Sequence, residues 1–164
     1  MRNFLIILFA VFLLNYSSAY SAGTSSSGGS SGSGGSNYGN LYDQGKRFVL
    51  RAKKLESKNK IEKAEKLYFK ALNKFEKAYA KDKKNADILN YLGYTLRKTG
   101  DFEKAEFFYL KGLKLDANHL GINEYLGELY VQTNRIKLAK KRLDVLSGCK
   151  CEEYKELKEL IENK

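Results

Sequence analysis

Proline and tryptophan are absent from the 164 residues, methionine and histidine occur once each, and cysteine occurs twice. Without proline, the turns must be made by Asn, Gly and Asp. A single histidine and two cysteines that stand two residues apart, Cys149 and Cys151, leave little for a His-based triad with a separate thiol. A zinc site would have to be completed by carboxylates. The length suits one compact core and excludes large two-domain enzyme architectures. The sequence therefore reads as a non-enzyme with no cofactor and no metal.

Long apolar runs are equally scarce. Phe4 to Leu14, eleven residues without a polar side chain, is the one such run, and it falls short of the ~20 needed to cross a bilayer as a helix. It follows the basic start Met1-Arg2-Asn3 and precedes Ser17-Ser18-Ala19, which places small residues at the minus-three and minus-one positions of a cleavage site. This is the pattern of a secretory signal peptide, 1–19, cleaved after Ala19. It predicts a periplasmic or secreted protein with no stable membrane insertion after cleavage. Residues 23–36 comprise six Gly, seven Ser and one Thr, so 20–44 is expected to be a disordered tail.

From Gly45 onward the apolar residues fall at helical spacing and repeat. Leu89, Leu92, Gly93 and Leu96, then Gly100-Asp101, Ala105 and Tyr109, recur 34 positions later as Asn123, Leu126, Gly127, Tyr130, Asn134-Arg135, Ala139 and Leu143. A weaker copy, displaced by 41 residues, precedes them: Phe48, Arg51, Ala52 and Leu55, then Asn59-Lys60, Ala64, Tyr68 and Ala71. The seven extra residues are almost two helical turns, so they lengthen a helix to about Lys81 and leave its apolar face aligned to within ~20°. Gly93, Gly127, Ala105 and Ala139 are small enough for helices to cross closely, and Asn59, Gly100 and Asn134 suit a left-handed backbone between paired helices. Tyr154, Leu157, Leu160 and Ile161 predict a final amphipathic helix over Glu152 to Asn163.

The 34-residue period and the run LNYLGYTL followed by TGDFEKAEFFYLKGLKLDANH resemble the tetratricopeptide repeat. Departures are Leu89 for the family's Trp, Gly112 for a small Ala, Arg51 for a Leu, and Ala117 for the closing Pro. The resemblance implies an all-α fold: a short right-handed α-solenoid of about three helix pairs (45–85, 86–119 and 120–148). A Cys-x-Cys turn and a capping helix, 149–164, complete it. It also implies a protein or peptide partner held in a concave groove lined by the first helix of each pair. Carried over by register, the groove residues are Lys46, Val49 and Lys53, then Asp87, Asn90, Tyr94, Arg97 and Lys98, then Glu124, Glu128, Val131 and Gln132. The family's clamp for an acidic C-terminal carboxylate is not matched, because Val49, Lys53, Tyr91, Gly121 and Tyr125 stand where its Lys, Asn and Arg set is found. Mutual neutralisation of Arg97 by Glu124 or Glu128 as solvated neighbours is the alternative reading of these charges.

Charge is uneven. The net +11 is concentrated in 45–85, which holds 15 basic and 5 acidic residues, whereas 86–119 holds 5 of each. Lys63, Lys66, Lys70, Lys74, Lys77 and Lys81 are either an anionic-surface site or the solvated face of a long helix. Nucleic acid is not an expected partner, because no aromatic-interleaved basic motif accompanies the charge. Cys149 and Cys151 are candidates for a local disulfide, with an intermolecular bond or thiol redox chemistry as alternatives. His119 is expected on the surface of an inter-repeat turn. The function predicted is that of an exported, non-catalytic adaptor.

Overall fold

The computed structural model describes residues 38–164, and the expected signal segment and the tail as far as residue 37 lie outside the described residues. Among the described residues there are seven α-helices and no strand: α1 (Tyr38–Glu56), α2 (Ile61–Lys81), α3 (Ala86–Lys98), α4 (Phe102–Leu113), α5 (Leu120–Gln132), α6 (Ile136–Leu146) and α7 (Glu152–Glu162).

Within each pair the turn is closed the same way. Asn59, Gly100 and Asn134 have φ of 55°, 88° and 59°, the left-handed geometry that Asn and Gly accept. The following residue then donates its backbone N–H back over the turn, Lys60 to Leu55 O at 2.9 Å, Asp101 to Leu96 O at 2.9 Å and Arg135 to Tyr130 O at 2.7 Å. With no proline to set the next helix, side chains cap instead. Asn85 accepts from Ile88 N at 3.1 Å and Asp101 from Lys104 N at 3.2 Å.

The tail expected over 20–44 ends earlier than its composition suggested. Residues 38–44 are the first two turns of α1, and Leu41 and Tyr42 pack on the core with Phe48 and Leu55. Leu41, Phe48 and Leu55 are seven apart, a heptad stripe masked by the neighbouring Gly and Ser. Gly45 sits inside the helix because Phe75 of α2 lies against it: a Cβ there would fall 2.5 Å from Phe75 Cε1. The insertion that lengthens α2 is therefore accompanied by a lengthening of α1, giving helices of 19 and 21 residues beside pairs of 13 and 12, and 13 and 11. Arg51, at a position where the later repeats bury Leu92 and Leu126, is exposed because no earlier repeat covers α1 among the described residues.

The first helices approach one another in sequence, α1 on α3, α3 on α5 and α5 on α7, whereas α2 and α4 meet only at side-chain ends, Tyr79 lying edge-on to Phe108 at 5.6 Å and accepting from the Lys111 ammonium. The stack consequently bends around its first helices, which form the inner layer. No described helix is long and apolar enough to cross a membrane.

Candidate functional site

The inner layer carries the residues assigned to a groove by register, but most of them are not open to solvent. Val49, Asn90, Tyr94, Arg97, Glu124 and Val131 are buried, at 3%, 6%, 4%, 5%, 3% and 1% exposure, so the expectation that they line a solvated groove is corrected. Two packing events, neither of them local in sequence, account for this. Leu157 of α7 seats on α5 where Gly127 leaves room, a Cβ at Gly127 being only 2.4 Å from Leu157 Cδ2. Tyrosine rings fill the remainder: Tyr94 lies 4.8 Å from Tyr125 and 6.0 Å from Tyr68, and Tyr91 stacks on Phe75 at 5.0 Å and meets Tyr42 edge-on at 5.5 Å.

Within this layer the charges are paired. Arg97 Nη2 lies 2.8 Å from Glu128 Oε2, and its guanidinium stands 5.5 Å and 5.7 Å from the Tyr94 and Tyr125 ring centroids. Burial is the largest single influence and disfavours the charge on Arg97, but Glu128 together with Tyr109 and Tyr94 outweighs it and raises the guanidinium above its ordinary value. Of the two readings of Arg97, pairing with Glu128 is the contact made, and it is a buried pair, not a solvated one. Lys98 is engaged as well, its ammonium 2.7 Å from Glu56 Oε1, while Tyr68 donates its hydroxyl to Glu56 Oε2 at 2.8 Å.

Glu124 is the unusual group. Burial above all, then a hydrogen bond with Glu156 and the charges of Glu128 and Glu153, push its carboxyl up to about 9, so it is protonated at neutral pH. Glu124, Glu128 and Glu156 bring carboxylate oxygens within 4.8 Å of one another, the donor set among the described residues that could hold a cation. In this arrangement the proton on Glu124 and the guanidinium of Arg97 already offset the trio's charge. Glu153 and Glu156 belong to α7 and were not among the expected site residues. Their signal was the acidic spacing on the helix read only as a cap.

Beside these carboxylates, α1, α3, α5, α7 and the turn before α5 line an open cleft of about 610 Å³, reached by Tyr42, Lys46, Asp87, Asn90, Tyr91, His119, Glu124, Tyr125 and Glu153. His119 has a definite role here. Its Nδ1 accepts from Ile122 N at 3.2 Å, capping α5, which leaves Nε2 to donate to Asp87 Oδ1 at 3.3 Å. It lies in the turn before α5 as expected, but half-buried and acting as a cap.

The other expected residues lie elsewhere. Lys63, Lys66, Lys70, Lys77 and Lys81 are exposed and Lys74 half-buried along the outer side of α2. Lys46, Lys53 and Val49 are on α1, where Lys46 Nζ stands 5.2 Å from the Tyr42 ring centroid and Lys53 Nζ 5.2 Å from that of Tyr94, while Gln132 is exposed at the end of α5. Cys149 and Cys151 are bonded to each other, with their Cα atoms 5.1 Å apart, in the turn that leads into α7.

Comparison with known proteins agrees with this geometry. A tetratricopeptide repeat model matches residues 74–107, the end of α2 through the first half of α4. No curated protein matches the sequence. Among solved structures, the Arabidopsis OM64 TPR domain is similar with a TM-score of 0.52 and 14% identity, over 75% of this chain and 98% of that one. The first TPR domain of Spaghetti (RPAP3), bound to the HSP90 peptide SRMEEVD, is similar with a TM-score of 0.51 and 15% identity, over 74% of this chain and 94% of that one. Residues 74–107 thus match a tetratricopeptide repeat, and the described residues have the fold of the tetratricopeptide domains they resemble.

Proposed function

We propose that the chain is an exported, non-catalytic adaptor that holds a protein or peptide partner against the inner layer of α1, α3 and α5. The observation that carries this reading is the continuous surface of half-buried tyrosines, Tyr42, Tyr91 and Tyr125, opening into the cleft between α3, α5 and α7. Rigid amphipathic rings of this kind supply contact area at little entropic cost, and hot spots are enriched in them. A related fold, the first TPR domain of Spaghetti, was solved with an HSP90 peptide, which supports a peptide as the class of partner. The chain departs from an acid-clamping surface: Tyr91, Gly121 and Tyr125 stand where cationic and amide groups would be required, so an acidic C-terminus is not the ligand proposed.

Export rests on the pattern of residues 1–19, with a periplasmic or secreted destination and no nucleic acid partner. Selection of a random peptide display library on the full chain tests the binding reading. Enriched peptides should lose binding to Tyr125→Ala and keep it with the outer-face variant Lys70→Gln. Enrichment that is insensitive to Tyr125 would place the site elsewhere.

A second reading has its own observation. None of the six lysines on α2 is ion-paired among the described residues, which favours contact of α2 with an anionic surface. Retention on anionic vesicles that disappears as salt is raised would support it, and retention indifferent to salt would count against it.

A further inference from the structure

The cleft between α3, α5 and α7 differs in sign from the rest of this basic chain. Asp87 of α3 and Glu153 of α7 both line it, Asp116 joins them from the turn before α5, and Lys46 is the single ammonium in the lining. Lys46 leans on the Tyr42 ring, its Nζ 5.2 Å from the centroid. His119 donates to Asp87 as a neutral ring, so it leaves the negative charge of that carboxylate in place. Glu124 keeps its proton and adds no charge of its own. Three carboxylates thus face one ammonium on a chain whose net charge is +11.

A second observation is independent of these carboxylates. Asn90 lines the same cleft at 6% exposure, and its side-chain oxygen Oδ1 has no hydrogen-bond partner. A buried acceptor left unmade is costly, and native structures generally supply a donor. The sequence also makes room for this amide. Gly121 faces it, and a Cβ at that position would lie 2.8 Å from Asn90 Nδ2. An acceptor without a donor, flanked by Asp87 and Glu153 and by the rings of Tyr91 and Tyr125, complements a cation that carries N–H donors. A guanidinium or alkylammonium meets each requirement: it donates to Asn90, pairs with the carboxylates, and rests on aromatic faces.

We propose that this cleft is an anchoring site for one basic side chain, Arg or Lys, of a bound peptide, with Asn90 Oδ1 as the acceptor and Asp87 and Glu153 as the counter-charges. The assignment rests on the peptide-adaptor reading and inverts the polarity of a carboxylate clamp. The same chemistry would be offered by a free polyamine, and the two sources differ in what else they touch. A peptide adds backbone and neighbouring side chains along Tyr91 and Tyr42, so it should bind more tightly than a polyamine of equal charge.

Peptide display on the full chain, followed by titration of the enriched peptides, tests this. The expected result is one Lys or Arg common to the enriched peptides. Its exchange for norleucine or citrulline should weaken binding about tenfold, the size of one charge-assisted hydrogen bond. Glu153→Gln, on the surface of α7, should weaken the basic peptide by a similar factor and leave the citrulline peptide unchanged, and Asp87→Asn should repeat the pattern from α3. On binding, the Asn90 side-chain amide resonances should shift. Peptides that bind the inner layer with no requirement for a basic residue would overturn the anchoring site and leave the adaptor reading standing. No enrichment at all would overturn both. Spermidine competing at lower concentration than the peptides would assign the cleft to free polyamines and overturn the peptide as the source.

Discussion

The first helix pair and the two that follow are built from the same register but stabilised differently. In α1 and α2, two extra turns on each helix add apolar contact: Gly45 and Ala52 face Phe75 and Tyr68, and Ala64, Ala71 and Ala78 run along the same seam, all buried. The six lysines of α2 stay on its outer side, none of them ion-paired among the described residues. In α3 and α5 the helices are short, and the inner layer takes in charge, with Arg97 on Glu128 and a protonated Glu124 beside Glu156. The first pair thus acts as the stable end of the stack. The later pairs, together with α7, hold the polar inner surface on which binding is proposed. Burying polar groups costs stability unless each is partnered, so their retention in a short stack suits a surface kept for recognition.

Four effects separate the two regions, and the largest belongs to the first pair. Phe75→Ala should lower unfolding free energy by about 4 kcal/mol, because the ring is fully buried and α1 is recessed at Gly45 to receive it. Chemical denaturation measures this. A change near 1 kcal/mol would mean that the extra turns of α1 and α2 are not part of the cooperative unit. Next, Arg97→Met should cost about 3 kcal/mol by leaving Glu128 without its buried partner, and the double variant Arg97→Met, Glu128→Leu should recover most of that loss. A double variant as unstable as the single one would show that Arg97 works through its tyrosine contacts rather than through Glu128.

The third effect is a pH dependence confined to the later pairs. Folded Glu124 holds its proton to about 9 while its ordinary value is 4.5, so folding takes up a proton between those limits. The groups facing it are Glu128 on its own helix, Glu153 and Glu156 from α7, and Tyr109 from α4, with Arg97 of α3 tied to Glu128. Its contribution is fully present below pH 4.5 and declines as pH rises through about 9. Stability measured across that range should therefore fall with pH, and Glu124→Gln should flatten the fall. The smallest effect is on the lysines: Lys66→Gln and Lys70→Gln together should alter stability by less than about 0.5 kcal/mol. A larger loss would mean that the outer face of α2 is structural.

What was legible in the sequence was local or periodic. Asn59, Gly100 and Asn134 announced their left-handed turns because the backbone requirement lies within a few residues, and the 34-residue period placed α3 to α6. The start of α1 was hidden because Gly39 and Gly45 continue the composition of the Gly/Ser tail. The heptad Leu41, Phe48, Leu55 outweighs it only once Phe75 arrives from 30 positions further on. The burial of Asn90, Tyr94, Arg97 and Glu124 was likewise illegible from register. It depends on α7 reaching back to Gly127 and on rings from α1, α2, α3 and α5 meeting in one layer, and neither fact is carried by the positions themselves. The capping role of His119 was not legible because capping by an imidazole has no sequence signature as clear as that of Asn or Asp.

The claim on which the account turns is that the inner layer, not the basic outer face, receives the partner. Backbone and side-chain amide NMR of the isotope-labelled full chain, titrated with a display-selected peptide, tests it directly. Shifts are expected at Asn90, Tyr91, Gly121 and Tyr125, with little change at Lys63, Lys66 and Lys70. Shifts confined to those lysines of α2, with the inner layer unmoved, would contradict it.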